Sequence, residues 1–127
     1  MIRHASIYAA RQPAPGDGLR VLVMRQWPRG VRKECVDVWL KAAGPSRALL
    51  DAYNHAGLGW QEFAERYRAE MLHERPQVLD ELRGLEKEHG VLTLLCHERM
   101  PPNEHCHREV LADLLNRVTT SFRDSVR

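Results

Sequence analysis

The sequence predicts a single small α/β domain, a mostly parallel β-sheet flanked by helices, on three observations. Two compact apolar runs, LRVLVM (19–24) and VLTLLC (91–96), are rich in aliphatic and β-branched residues and bounded by glycine or proline. Between them the chain carries stretches whose apolar residues recur three and four positions apart, the spacing of helices with one buried face. After the second run come a loop and a further helical pattern, so the second and last strands are expected to be parallel neighbours. A length of 127 residues suits one core, with residues 1–118 forming the domain and 119–127 a fraying tail.

Taken in order, 3–8 alternate weakly and read as a first strand, and 19–24 as a second, largely buried one. The segment QPAPGDG between them, with two prolines and two glycines, is a loop. Pro28 donates no backbone hydrogen bond and holds Trp27 extended, so the chain must turn directly after Arg25. Residues 36–40 (VDVWL) suit either a short edge strand or an irregular segment across the core. Pro45-Ser46 opens a helix carrying Leu49, Leu50 and Tyr53 and closed by Gly57 and Gly59. In WQEFAERYRAEML (60–72) the residues Trp60, Phe63, Ala64, Tyr67 and Met71 share one stripe, which makes the aromatics core residues rather than a cofactor box. Pro76 starts a third helix with Val78, Leu79, Leu82 and Leu85 inward, and Gly90 ends it. Residues 91–96 form a strand buried on both faces. The last helix is expected from about Asn103, with Val110, Leu111, Leu114, Leu115 and Val118 on its apolar side.

Nineteen Lys and Arg against seventeen Asp and Glu leave a formal net charge of +2. That is too weak a field for an obligate nucleic-acid binder, although local basic patches keep such a partner open. No window approaches eighteen consecutive apolar residues, and the N-terminal stretch lacks a secretory apolar region, so a cytoplasmic protein without membrane contact is expected. Cys35, Cys96 and Cys106 are too few and too irregularly spaced for a disulfide framework, which points to reduced thiols.

Ligands of open α/β sheets bind beyond the carboxyl ends of the strands, which here selects the loops after Met24 and after Cys96. In the first, Arg25 and Arg29 can clamp a phosphate or carboxylate while Trp27 stacks on a ring, with Arg32 and Lys33 close in sequence. The bland alternative makes Trp27 a core plug and pairs the arginines with acidic residues such as Asp37 and Glu70. In the second, an N-cap at Asn103 would put Cys106 in the third helical position, where backbone N–H groups and Arg108 favour a thiolate. Cys106 is then the candidate nucleophile, with His107 or His97 carrying the proton and Cys96 a lesser candidate at the strand end. Cys96, His97, His105, Cys106 and His107 also suggest zinc or redox chemistry, but their spacing fits no metal motif, so no metal is assigned. The usual nucleotide loops and a serine nucleophile elbow are absent, so no cofactor is expected. A small anionic molecule is the expected partner. The rival is a non-catalytic nucleic-acid or protein interaction module using Arg11, Arg29, Arg32, Lys33 and Arg108.

The segments RQWPRG (25–30), DVWLK (37–41), PS (45–46), FAERYRAEM (63–71) and LTLLCHE (92–98) together resemble the YeaO-like family, bacterial domains of unknown function (DUF488). The resemblance runs from about residue 2 to residue 116 and implies an α/β fold without an established activity. Trp27, Pro28, Arg29 and Gly30 match its most specific loop, which it implies as the shared site. Some relatives resemble the chain further at Cys106, His107 and Arg108, whereas YeaO-type members carry other residues there and often lack a cysteine at position 96. The resemblance thus implies either that cysteine chemistry is confined to one branch or that neither cysteine is essential.

Overall fold

A computed structural model describes residues 1–97 and 106–126, with side chains described as far as Asn116. The expected cap Asn103 and His105 lie outside the described residues. Four parallel strands, β1 (Ile2–Ser6), β2 (Leu19–Leu22), β3 (Val38–Trp39) and β4 (Leu92–Cys96), lie in the order β1-β4-β2-β3. The last strand is central. Leu92 pairs with Ile2 on one side and with Leu19 on the other, so the second and last strands are parallel neighbours. The ambiguous segment 36–40 contributes a two-residue edge strand, Val38 and Trp39 pairing with Val21 and Leu22.

Four helices follow the apolar stripes: α1 (Arg47–His55), α2 (Trp60–Ala69), α3 (Pro76–His89) and α4 (His107–Val126). Ser46 caps α1 by accepting from the Leu49 N–H. Pro76 sits in the first turn of α3, and Gly90 ends it with φ 81°, a conformation that glycine adopts without penalty. The stripe predicted to run to Leu72 leaves α-helical geometry earlier, in a π-helical turn over Glu70–Glu74. At the other end of the chain, α4 continues through Thr119–Ser125, where the sequence suggests a frayed tail.

Alternation along the strands divides the core. Val21, Val23, Leu92, Leu94 and Cys96 join buried side chains of all four helices, among them Leu49, Phe63, Tyr67, Leu82 and Leu111. On the opposite face Leu22 and Leu95 meet Ile7, Val31 and Cys35 from the connecting segments. That thinner face is held by a polar network. Arg20 is 2% exposed, and its guanidinium donates to Asp17 and to the carbonyls of Ala10, Arg11 and Cys35. Asp37, expected as a partner for loop arginines, instead accepts from the Arg20 backbone N–H at 2.8 Å.

The Ala14 backbone N–H, followed by Arg20 and Arg3, holds the Asp17 carboxyl below the usual carboxylate range, against the opposing effect of burial. A folded-state pKa below the unfolded one contributes stability above pH ~4, which is lost as the pH falls through the lowered value. Urea denaturation between pH 6 and pH 3 is expected to show stability declining below about pH 4, and a shallower decline in Asp17→Asn. Equal slopes for the two proteins would remove Asp17 as the source.

Candidate functional site

Parallel pairing brings the ends of β1, β2 and β4 to one edge of the sheet, and a cavity of about 790 Å³ opens there. Its wall includes Arg25, Trp27 and Arg29 from the loop after β2, Tyr8 after β1, His97 after β4, and His107 at the start of α4. The described ends of the second loop, His97 and His107, therefore share this cavity with the first loop. The Tyr8 hydroxyl donates to the Arg29 carbonyl at 2.7 Å, and the Tyr8 ring meets His97 edge to face at 4.4 Å, which ties the three strand ends together.

Arg25 is built in most firmly. Its Nε donates to the Pro45 carbonyl, and its side chain and backbone pack against Gly44, where an added Cβ would stand 3.0 Å from Cγ and 3.1 Å from the amide nitrogen. The turn carrying Gly44 is held by Arg75, whose Nη1 donates to the carbonyls of Ala42 and Gly44. Glu70, in the π-helical turn, pairs with Arg75 at 2.7 Å and accepts from both the backbone N–H and the hydroxyl of Ser46. Glu70 thus supports the floor of the site without pairing the loop arginines. Burial, and after it the Arg75 guanidinium, lower the pKa of Arg25. Glu70 acts in the opposite sense, and an arriving anion would likewise favour the charged form of this half-buried guanidinium.

Trp27 is a fixed wall. Its indole N–H donates to the Val31 carbonyl at 2.8 Å, and its ring packs edge to face on Trp39 at 5.3 Å. Arg32 and Lys33 do not reach this cavity and line a separate groove beside Trp27 and Trp39. Arg47, which the sequence reading overlooked, does line it, together with Asp51 on the same helix. A signal was available: Arg47 follows the cap Ser46, where the helix dipole disfavours a cation.

Behind His107 lies a buried cluster. Cys106 is not in the third helical position but in the capping position before α4, because Glu109 reaches back to accept from its backbone N–H at 2.8 Å. The sequence C-x-x-E from 106 to 109 carries this half of a capping box. His107 Nε2 lies 2.6 Å from the Val23 carbonyl, and a carbonyl only accepts, so Nε2 bears a proton. In the neutral ring Nδ1 is then an acceptor, and it faces Cys106 Sγ at 3.9 Å. Against the expectation of separate reduced thiols, the sulfurs of Cys96 and Cys106 lie at bonding distance, 2.11 Å. The fold sets the end of β4 against the cap of α4, a meeting that their spacing in sequence does not disclose. Arg108, expected among the anion ligands, is not in the cavity wall; it points to Cys96 Sγ at 3.5 Å. Cys35, the third cysteine, is buried on the other face of the sheet. No helix among the described residues is long and apolar enough to cross a membrane.

Comparison with known proteins adds the following similarities. The profile described as the active DUF488-N3 subclade matches residues 2–119. The uncharacterized protein Rv3073c of Mycobacterium tuberculosis is 40% identical over 121 residues, covering 91% of this chain and 98% of the relative. The uncharacterized protein Mb3100c of Mycobacterium bovis matches to the same extent. The uncharacterized protein YeaO of Escherichia coli is 35% identical over 101 residues, 78% of this chain and 84% of the relative. No solved structure matches significantly.

Proposed function

Because the chain belongs to the YeaO-like DUF488 family, whose relatives are uncharacterized by name, we propose a function from the cavity itself: it binds a small anionic molecule. One observation carries this reading. The guanidinium residues Arg25, Arg29 and Arg47 line one concavity, where Asp51 is the acidic residue among the described lining residues. Arginine forks suit phosphate or carboxylate oxygens, the adjoining α1 N-terminus adds a favourable dipole, and Trp27 offers a rigid ring face beside the anion. The groups such a site can draw on for chemistry are His107 in its wall and, once their cross-link is reduced, Cys106 and Cys96 behind it. The description of the matched subclade as active agrees with a site that does chemistry.

Titration of the full chain with inorganic phosphate and with citrate, followed by amide and indole NMR shifts, tests the reading. Saturable shifts at Arg25, Trp27 and Arg29 are expected for at least one of them. Arg29 is exposed, and the bond from Tyr8 reaches its backbone carbonyl, so Arg29→Ala is expected to stay folded and bind that anion about 10- to 100-fold more weakly, the loss of a charge-assisted contact of ~1.5–3 kcal/mol. Unchanged affinity in Arg29→Ala overturns the assignment. The nucleic-acid rival predicts instead tighter binding of oligonucleotides with a steep salt dependence. It is weakened by Arg108, which is half-buried against Cys96 and so leaves the proposed basic patch.

A further inference from the structure

The cluster behind the cavity holds three metal-ligating side chains, whether or not an anion occupies the cavity. Cys96, Cys106 and His107 each offer one ligand atom, and these atoms lie within 4.8 Å of one another. All three residues are buried, at 0%, 2% and 3% exposure. Two thiolates and an imidazole are the donors that zinc and related borderline ions prefer.

Three features of the surroundings favour an ion. First, metal-bound histidines donate their remote ring N–H to a carbonyl or carboxylate, which fixes the tautomer and aims the other nitrogen at the metal. His107 does this with Val23, leaving Nδ1 turned toward Cys106 Sγ. Second, the 3.9 Å between these atoms is close to the ~3.5 Å that two such ligands adopt on a tetrahedral ion with bonds of ~2.1 and ~2.3 Å. Third, the Cα atoms of Cys96 and Cys106 stand 7.4 Å apart, wider than the ~4.4–6.8 Å usual for a disulfide, whereas thiolates sharing an ion sit ~3.8 Å apart and tolerate a wider backbone. The setting also suits negative sulfur: Cys106 caps α4 at the positive end of its dipole, and the Arg108 guanidinium reaches Cys96 Sγ.

We propose that the reduced protein binds one zinc-class divalent ion through Cys96 Sγ, Cys106 Sγ and His107 Nδ1. Three protein ligands leave a fourth position for water or a ligand atom, the arrangement of zinc sites that do chemistry, and His107 sets it at the cavity wall. Loading the cross-linked form first requires its reduction to two thiols, either by two external thiols, which supply both electrons and both protons and leave as their own disulfide, or by a phosphine, which supplies the two electrons and takes up a water oxygen while that water supplies the two protons. The protons of the two cysteine thiols leave as the sulfurs bind the ion.

The test uses the full chain, reduced with a phosphine and titrated anaerobically with cobalt(II), whose thiolate charge-transfer and tetrahedral visible bands report the ligand set. One equivalent is expected to bind with both signatures, and zinc to displace it. Cys106→Ser and His107→Gln are expected to lose more affinity than the roughly 10- to 100-fold that removal of an outer-shell partner costs. Circular dichroism identifies variants that fold, and Cys96→Ser provides a third if one does not. Arg29→Ala is expected to bind cobalt normally, so a failure of the anion reading and a failure of the metal reading are told apart. Reduced, folded wild type without thiolate bands overturns the proposal, as does full affinity in a folded Cys106→Ser or Cys96→Ser protein.

Discussion

Gly18→Ala is expected to cost more than about 4 kcal/mol of stability and to leave little folded protein at 37 °C. Gly18 has φ 62°, and a Cβ built there would lie 2.1 Å from the Val91 carbonyl oxygen and 2.6 Å from the Val91 carbonyl carbon. The obstacle is backbone, and it cannot swing aside as a side chain does. The same oxygen accepts from the Leu19 N–H at 3.0 Å, so making room for the methyl group pulls β2 away from β4 at the first residue of their pairing. Gly16→Ala is the control. Gly16 also has positive φ, 92°, but its nearest neighbour would be the Arg3 guanidinium tip at 3.4 Å, and the expected cost is the ~1–2 kcal/mol of left-handed backbone alone. Urea denaturation of the two variants separates close approach from conformational strain; equal costs would show that the contact with Val91 is unimportant.

Arg20→Met is expected to cost about 3–5 kcal/mol, the range for breaking a buried ion pair by removing one partner. Methionine fills much of the space but leaves the Asp17 carboxylate and the carbonyls of Ala10, Arg11 and Cys35 without their donor. Arg20→Lys is expected to recover little, since one ammonium cannot reach groups arrayed around a planar fork. Combining Arg20→Met with Asp17→Asn should cost less than the sum of the two changes, because the buried carboxylate is then neutral. Additive costs in that double-mutant cycle would locate the loss in packing.

Much of this architecture is legible in the chain. The run VLTLLC announces a strand covered on both sides, and Leu92 through Cys96 are all buried. The stripe from Trp60 announces α2, but nothing in its periodicity marks the π-helical turn at Glu70, because the apolar residue Met71 falls on the core in either geometry. β3 was ambiguous for a physical reason: two residues at a sheet edge carry too little alternation to set a period. The cavity was legible in outline, since parallel strands put loop ends together, and Arg25, Trp27, Arg29 and His107 do share it. The placing of Arg108 was not, because neighbours on a helix point about 100° apart and only the sheet decides which of His107 and Arg108 faces the cavity. Nor was the meeting of Cys96 with Cys106 and His107. Metal-motif spacing describes ligands brought together by one local turn, whereas here a strand end and a helix cap are joined by tertiary packing.

The position of β4 has a consequence for how the protein is made. β1 and β2 leave the ribosome early, yet they share no pairing with each other; each is hydrogen-bonded to the strand that begins at Leu92. Until that strand emerges, β1 has no partner in the sheet and the apolar β2 has only its two-residue pairing with β3. Ordering must wait for contacts distant in sequence, a topology that folds slowly and exposes strands to aggregation meanwhile. A chain truncated after Gly90 would therefore keep no more of the sheet than the two-residue β2–β3 pairing, and synthesis would place the heaviest demand on chaperones in the interval before Leu92 appears.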